Sequence, residues 1–347
     1  MVQKYLFFND YSEGAHPRIL DALAKTNLVQ ELGYGEDSLC VEATHLIKTE
    51  IANPGADIHF VSGGTQANLT VLASLLRPYE SIVAPITAHI NIHEAGAIEA
   101  TGHKIHGVPC ADGKLTSESI REVVAQHTDE HMVKPKAVFI SHATEVGTVY
   151  KKEELEAISK VCKELNLHLY LDGARLGSAL VAADADLKLP EIAKLADVFY
   201  IGGTKNGALI GEAIVIINPS LKENFRYYIK QRGGLLAKGR ILGAQFLELF
   251  KDGLFLELAR HANMCAERLS RGIAECGYTF LAPSSTNQIF PILPNSVISK
   301  LKQSYGFYVW TKIDEKTSAI RLVTSWATSE RAVDEFLADL KKISRPS

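Results

Sequence analysis

Short apolar runs alternate with helix-period segments through the middle of the chain. Strand-like runs fall at Asp57–Val61, Ser81–Ala84, Lys104–Val108, Lys136–Ser141, Leu167–Asp172, Asp197–Ile201 and Glu212–Ile217. Ala137-Val138-Phe139-Ile140 and Val215-Ile216-Ile217 are apolar throughout, as a sheet buried on both faces requires. Between the runs, Thr65–Arg77 sets Leu69, Leu72 and Leu76 on one helical face, and Lys152–Leu165 does the same with Leu155, Ile158 and Cys162. Strands alternating with helices predict right-handed crossovers and a mostly parallel sheet. After Ile241 the pattern changes to a long helix at Gly253–Cys276, strand-like Asn287–Leu293 and Ile320–Thr324, and a closing helix near Ser329–Lys342. The fold class is therefore α/β, with a large domain expected over 1–245 and a smaller α+β domain over 246–347. A helix at Pro17–Thr26, with Pro in its first turn, fits against either.

At 347 residues the chain exceeds what one hydrophobic core serves, and its 46% hydrophobic and 22% charged residues are those of a globular protein. The formal net charge of −3, from 37 basic and 40 acidic residues, supplies no field for a nucleic-acid backbone. No apolar run approaches the roughly eighteen residues that span a bilayer, so no membrane partner is expected. The apolar patch before Asp10 is too short for a signal peptide. Five cysteines without a CxxC pair read as reduced thiols of a cytoplasmic protein, and no zinc ligand set is present.

Three segments carry chemistry. In Ile201-Gly202-Gly203-Thr204-Lys205-Asn206-Gly207 an apolar strand runs into a lysine among glycines. Desolvated in a cleft, such a lysine becomes a nucleophile toward carbonyls; otherwise it is a loop lysine. In Leu169-Tyr170-Leu171-Asp172-Gly173-Ala174-Arg175 an aspartate closes a buried strand, at the edge where α/β sheets bind ligands, or else caps a helix. One βαβ unit separates the two, so adjacent strand ends would offer an amine and a carboxylate to one cofactor. Pyridoxal 5′-phosphate (PLP) needs that pair: an imine-forming lysine and an acidic partner for its ring nitrogen. In Phe60-Val61-Ser62-Gly63-Gly64-Thr65 a strand meets a helix N-terminus, which reads as a phosphate cradle or an ordinary capped turn; it matches neither Walker A nor GxGxxG.

Weaker signals surround these. His89 suits stacking on a flat cofactor, or is a satisfied core histidine. With His93 it has i, i+4 spacing but no HExxH context, so no metal is expected. Arg321 inside an apolar strand needs a carboxylate, from a substrate or from the chain itself. Gln231-Arg232 and Lys238-Gly239-Arg240 form a basic patch that is either a phosphate contact or a solvated charge run.

Taken in order, these segments resemble the PLP-dependent low-specificity threonine aldolases, in the β-eliminating-lyase group of the aspartate aminotransferase fold (fold type I). The resemblance runs from Phe8-Asn9-Asp10 through His16-Pro17, Tyr34-Gly35-Glu36-Asp37, Ser62 to Asn68, Ala88-His89-Ile90-Asn91, Thr144 to Tyr150, Asp172 to Leu176 and Gly202 to Gly207, ending at Arg321-Leu322-Val323-Thr324. It implies that Lys205 carries the cofactor imine, Asp172 pairs with the ring nitrogen and His89 stacks on the ring. Gly64 and Thr65 would hold the phosphate, helped by Lys238, Arg240 and a partner subunit. Arg175 and Arg321 would clamp the substrate carboxylate, with Asn9 beside it, and Tyr34 would come from a neighbouring subunit. Glu145, standing where many relatives have histidine, would with His89 serve the reaction's proton transfers. The implied reaction is retro-aldol cleavage of L-threonine or L-allo-threonine to glycine and an aldehyde, by a homodimer or homotetramer. A β-eliminating lyase, racemase or aminotransferase of the same fold, or a non-catalytic scaffold, are the alternatives.

Overall fold

The computed structural model describes residues 4–344. Its central sheet has seven strands: β1 (Asp57–Val61), β2 (Glu80–Pro85), β3 (Ile105–Val108), β4 (Lys134–Ser141), β5 (His168–Asp172), β6 (Val198–Gly202) and β7 (Glu212–Ile216). The spatial order is β1-β7-β6-β5-β4-β2-β3. Strands β2 to β6 pair in parallel, while β7 runs antiparallel to both β6 and β1. The exception has a simple cause. Only residues 203–211 join β6 to β7, fewer than the dozen or so that a parallel crossover needs.

Alternate residues of each strand feed two cores. Val83, Val138, Leu169, Leu171, Phe199 and Ile201 pack on one face, with the helices Lys152–Glu164 and Arg240–Phe250. Ile82, Phe139, Tyr170, Tyr200 and Ile214 pack on the other, under the helix Gly64–Leu75. Both faces are dry, which explains why the strands read as continuous apolar runs rather than alternating ones.

A second, antiparallel sheet is built from Thr279–Phe280, Gln288–Ile289, Pro291–Pro294, Tyr308–Lys312 and Thr317–Val323. It shares a core with Leu269, Ile273, Val333 and Phe336 of the flanking helices. Phe7 joins this core, and the strand Tyr5–Leu6 pairs with Tyr305–Gly306, so the extreme N-terminal segment packs with the C-terminal domain. Helix Pro17–Thr26 packs instead on Arg240–Phe250 of the large domain. The expected division at 245/246 falls inside that latter helix. The cores separate further on, along Leu254–Glu275: Leu254, Phe255 and Leu258 join the large core, while Cys265, Leu269 and Ile273 join the small one. No helix among the described residues is long and apolar enough to cross a membrane.

Candidate active site

Parallel strands β5 and β6 end at the same sheet edge. Asp172 closes β5, and Lys205 lies in the short loop after β6. Two glycines bring these ends together. The Gly202 N–H donates to the Gly173 carbonyl at 2.9 Å. A Cβ on Gly173 would run into the Tyr200 carbonyl, and one on Gly202 into that of Ala174. Asp172 and Lys205 thereby line one cavity of about 270 Å³, with Ser62, Gly64, Thr65, His89, Glu145 and Glu212 also on its walls.

Asp172 is 4% exposed and is held on several sides. Tyr200 Oη donates to its Oδ1 at 2.6 Å, as does the Ala174 N–H at 2.9 Å. Asn68 Nδ2 donates to Oδ2 at 3.2 Å and to Glu94 Oε1 at 2.7 Å, while Tyr170 Oη holds the Asn68 carbonyl at 2.8 Å. Glu94 Oε1 in turn lies 2.8 Å from His89 Nδ1. Burial lowers the His89 pKa, but the bond to Glu94 together with the Glu145 and Asp172 charges outweighs it and the net shift is upward.

Lys205 is half-buried, on the wall of the cavity. Burial and the Arg175 charge hold its amine below the ordinary lysine value, against the pull of Asp10, Glu145 and Asp172. A desolvated amine with a lowered pKa keeps a larger unprotonated fraction for attack on a carbonyl. The third expected element also forms. The helix Gly64–Leu75 starts at Gly63, which offers no capping side chain, so its first N–H groups have no side-chain cap. Such an end favours a phosphate.

On the N-terminal-segment side, Arg175 makes a two-pronged pair with buried Asp10: Nε to Oδ2 at 2.7 Å and Nη2 to Oδ1 at 3.0 Å. Asn287 Nδ2 donates to the same carboxylate at 2.8 Å. Burial raises the Asp10 pKa, but Arg175, Lys205 and these bonds outweigh it and hold it below the ordinary carboxylate value. Arg321 has no such partner. Its Nη2 donates to the Phe8 carbonyl at 3.2 Å, its Nε is unpaired, and the rings of Tyr308 and Trp310 face it at 5.3 and 5.1 Å. Arg321 feels Glu145 and Tyr11, both on the cavity wall. The two arginines expected as one clamp are thus provided for differently.

Four expectations take another form. Asn9 directs its Oδ1 to the Tyr11 N–H and the Ser12 hydroxyl, both at 3.0 Å, a local turn. Arg240 donates to the carbonyls of Thr26 and Val29, closing the end of helix Pro17–Thr26. Neither Arg240 nor Lys238 lines this chain's cavity, because both belong to the turn that starts the helix Arg240–Phe250. Tyr34, 45% exposed, faces Lys230 at 4.8 Å on the outer surface, away from its own chain's Lys205. Asp10, Asn68, Glu94, Tyr200 and Glu212 were not singled out by the sequence. Only Asp10 and Asn68, inside stretches quoted for the resemblance, carried a signal that pointed to them.

A mostly parallel sheet with one reversed strand, a desolvated lysine and an aspartate at neighbouring strand ends, and an uncapped helix N-terminus beside them define a PLP enzyme of the aspartate aminotransferase fold. The structure is similar to aspartate aminotransferase from Thermus thermophilus, with a TM-score of 0.73 over 99% of this chain and 92% of that one, at 15% identity. The chain belongs to the beta-eliminating lyase family, which it matches over residues 13–295. It is 37% identical to the low specificity L-threonine aldolase of a Pseudomonas species, over 98% of each chain. It is also similar to the structure of Leishmania major threonine aldolase, at 50% identity and a TM-score of 0.97, covering 98% of this chain and all of that one.

The residues present fit the cofactor. The cavity offers an amine of lowered pKa for its aldehyde, an orientated carboxylate for its ring nitrogen, and helix N–H groups without a side-chain cap for its phosphate.

Proposed function

We propose that the protein is a PLP-dependent aldolase that cleaves a β-hydroxy-α-amino acid, L-threonine or L-allo-threonine, to glycine and an aldehyde. The observation that carries this reading is the meeting of half-buried Lys205 and buried Asp172 in one cavity. The full-length similarity to two threonine aldolases supports aldol cleavage over the other reactions of the fold.

Bound PLP supplies a sink for the electron pair released when a bond to the substrate Cα breaks. The chain's own residues do the rest. Lys205 presents a nucleophilic amine. Asp172, fixed by Tyr200 and Asn68, holds a proton on the ring nitrogen. His89, orientated by Glu94, would lie against the ring, and Gly64 and Thr65 would give N–H groups to the phosphate. Arg321 would take the substrate carboxylate and so select which Cα bond is aligned for cleavage. Glu145, on the cavity wall, takes the β-hydroxyl proton.

The reading extends to assembly. Leu28, Leu32, Tyr34, Val41 and Tyr227 are exposed, with Leu28 at 92%, and an apolar surface of this kind supports a homodimer or homotetramer. Tyr34, Lys238 and Arg240 then serve a neighbouring subunit's cavity. Five free cysteines support a cytoplasmic protein.

Borohydride reduction with peptide mapping tests the cofactor assignment: a pyridoxyl label on Lys205 is expected. Lys205→Ala should lose the imine absorbance and all turnover, and a variant that keeps either defeats the assignment. Product analysis with threonine tests the reaction. Acetaldehyde and glycine are expected. A keto acid with ammonia, a D-amino acid, or a transamination product would each transfer the chain to a sibling activity.

A further inference from the structure

Glu212 has no place in the chemistry above, yet it lies on the cavity wall and is only 5% exposed. It opens β7. The register sets it between Val61 of β1 and Gly202 of β6. Directly opposed residues of antiparallel strands point to the same face. Val61 belongs to the core beneath helix Gly64–Leu75, and the next residues along its chain are Ser62, Gly63 and Gly64. Glu212 therefore sits below the start of that helix, under the seat where a phosphate binds. Its Oε2 accepts the Gly203 N–H at 3.0 Å, and the Thr204 hydroxyl is its other neighbour.

This is an unusual floor for an anion. Among the described residues lining the cavity, Lys205 is the one lysine or arginine. An ionised carboxylate beside a phosphate dianion in a water-poor site would repel it strongly. The same group as a carboxylic acid carries no charge and gains an O–H donor.

We propose that Glu212 is part of the phosphate seat and acts there in its protonated form, as an uncharged hydrogen-bond donor to the cofactor's phosphate. The proposal rests on the PLP reading of the site. Burial pushes the Glu212 carboxyl up to about 8; Thr204, Lys205 and the Gly203 N–H oppose the rise, and Asp172 adds to it. The groups facing it are Lys205 from the β6–β7 loop, Asp172 and Tyr170 from β5, and Tyr200 from β6. On β1 the nearest titratable side chain of that face is His59, while helix Gly64–Leu75 brings none. Arg232, from the adjoining loop, meets that helix only through its carbonyl, which accepts from Gln66.

The consequence is a phosphate affinity that depends on pH. The test compares binding of PLP and of pyridoxal, which lacks the phosphate, to the full-length protein. Dissociation constants are measured by imine absorbance from pH 7 to 9. Imine formation at Lys205 is common to both ligands, so the ratio of their constants isolates the phosphate. For the wild type the advantage of the phosphate should fall about tenfold from pH 7 to 9, as an acid titrating near 8 loses its proton. For Glu212→Gln, a neutral donor at any pH, the advantage should stay level. A wild-type ratio that does not move with pH overturns the proposal, whether or not the variant folds. So does a Gln variant with the wild-type slope. If neither ligand forms an imine, the PLP reading itself falls and this proposal with it.

Discussion

Arg175 and Arg321 are both partly buried cations that feel Glu145 on the cavity wall, and the chain treats them in opposite ways. Arg175 has a carboxylate partner in two-pronged geometry, itself held by Asn287. Arg321 has one backbone carbonyl and two aromatic faces. A buried guanidinium with a complete internal partner is a structural charge; one left incomplete is available to a ligand's carboxylate. The shifts run in opposite directions for the same reason. For Arg175, burial is outweighed by Asp10 and the net shift is upward; for Arg321, burial and the Arg175 charge prevail and the shift is downward.

The sharpest way to break this contrast is to remove Asp10. Asp10→Ala leaves Arg175 buried without its partner and should cost about 3–5 kcal/mol of stability, read from urea unfolding. Asp10→Ala combined with Arg175→Met should recover much of that loss; equal instability in both variants would mean the pair is not a unit. The pH sign follows from Asp10. Its pKa in the folded state is lowered, so its stabilisation is present above the unfolded carboxylate value and is lost as pH falls through the folded one.

Arg321→Leu tests the other half. It should lower kcat/KM for threonine by about a hundredfold while cofactor absorbance persists, as truncating one partner of a buried charge pair does. An unchanged KM would return the carboxylate to Arg175. A smaller effect is expected at Glu94→Gln. Loss of that charge should move the His89 limb of the pH–rate profile to lower pH, since Glu94 is the largest of the groups that raise His89. The smallest belongs to Trp310→Leu, where a lost cation–π contact of about 1 kcal/mol predicts a fivefold rise in KM.

Much of this was legible in the sequence, for local reasons. Strand β1 and helix Pro17–Thr26 fall where periodicity put them, and Lys205 and Asp172 announce themselves because glycines follow or precede a buried strand. The reversal of β7 was legible too, in the shortness of its connection, but the alternating pattern pointed to parallel strands. The rest is not local. Asp10 meets Arg175 across 165 positions and Asn68 meets Asp172 across 104. Glu212 gains its meaning only from the register that sets it beside Val61. No window along the chain holds both members of such pairs.

The N-terminal segment has a mechanical consequence. It is stitched to the small domain at Tyr5–Leu6 and tied to the large domain at Asp10. The four residue steps from Leu6 to Asp10 reach about 14 Å at full stretch. Parting of the two cores by more than that slack would have to break the Tyr5–Leu6 pairing or the Asp10–Arg175 tie. The Phe8 carbonyl that meets Arg321 lies within the same stretch. A ligand that drew Arg321 toward itself would therefore pull on a segment anchored at both ends.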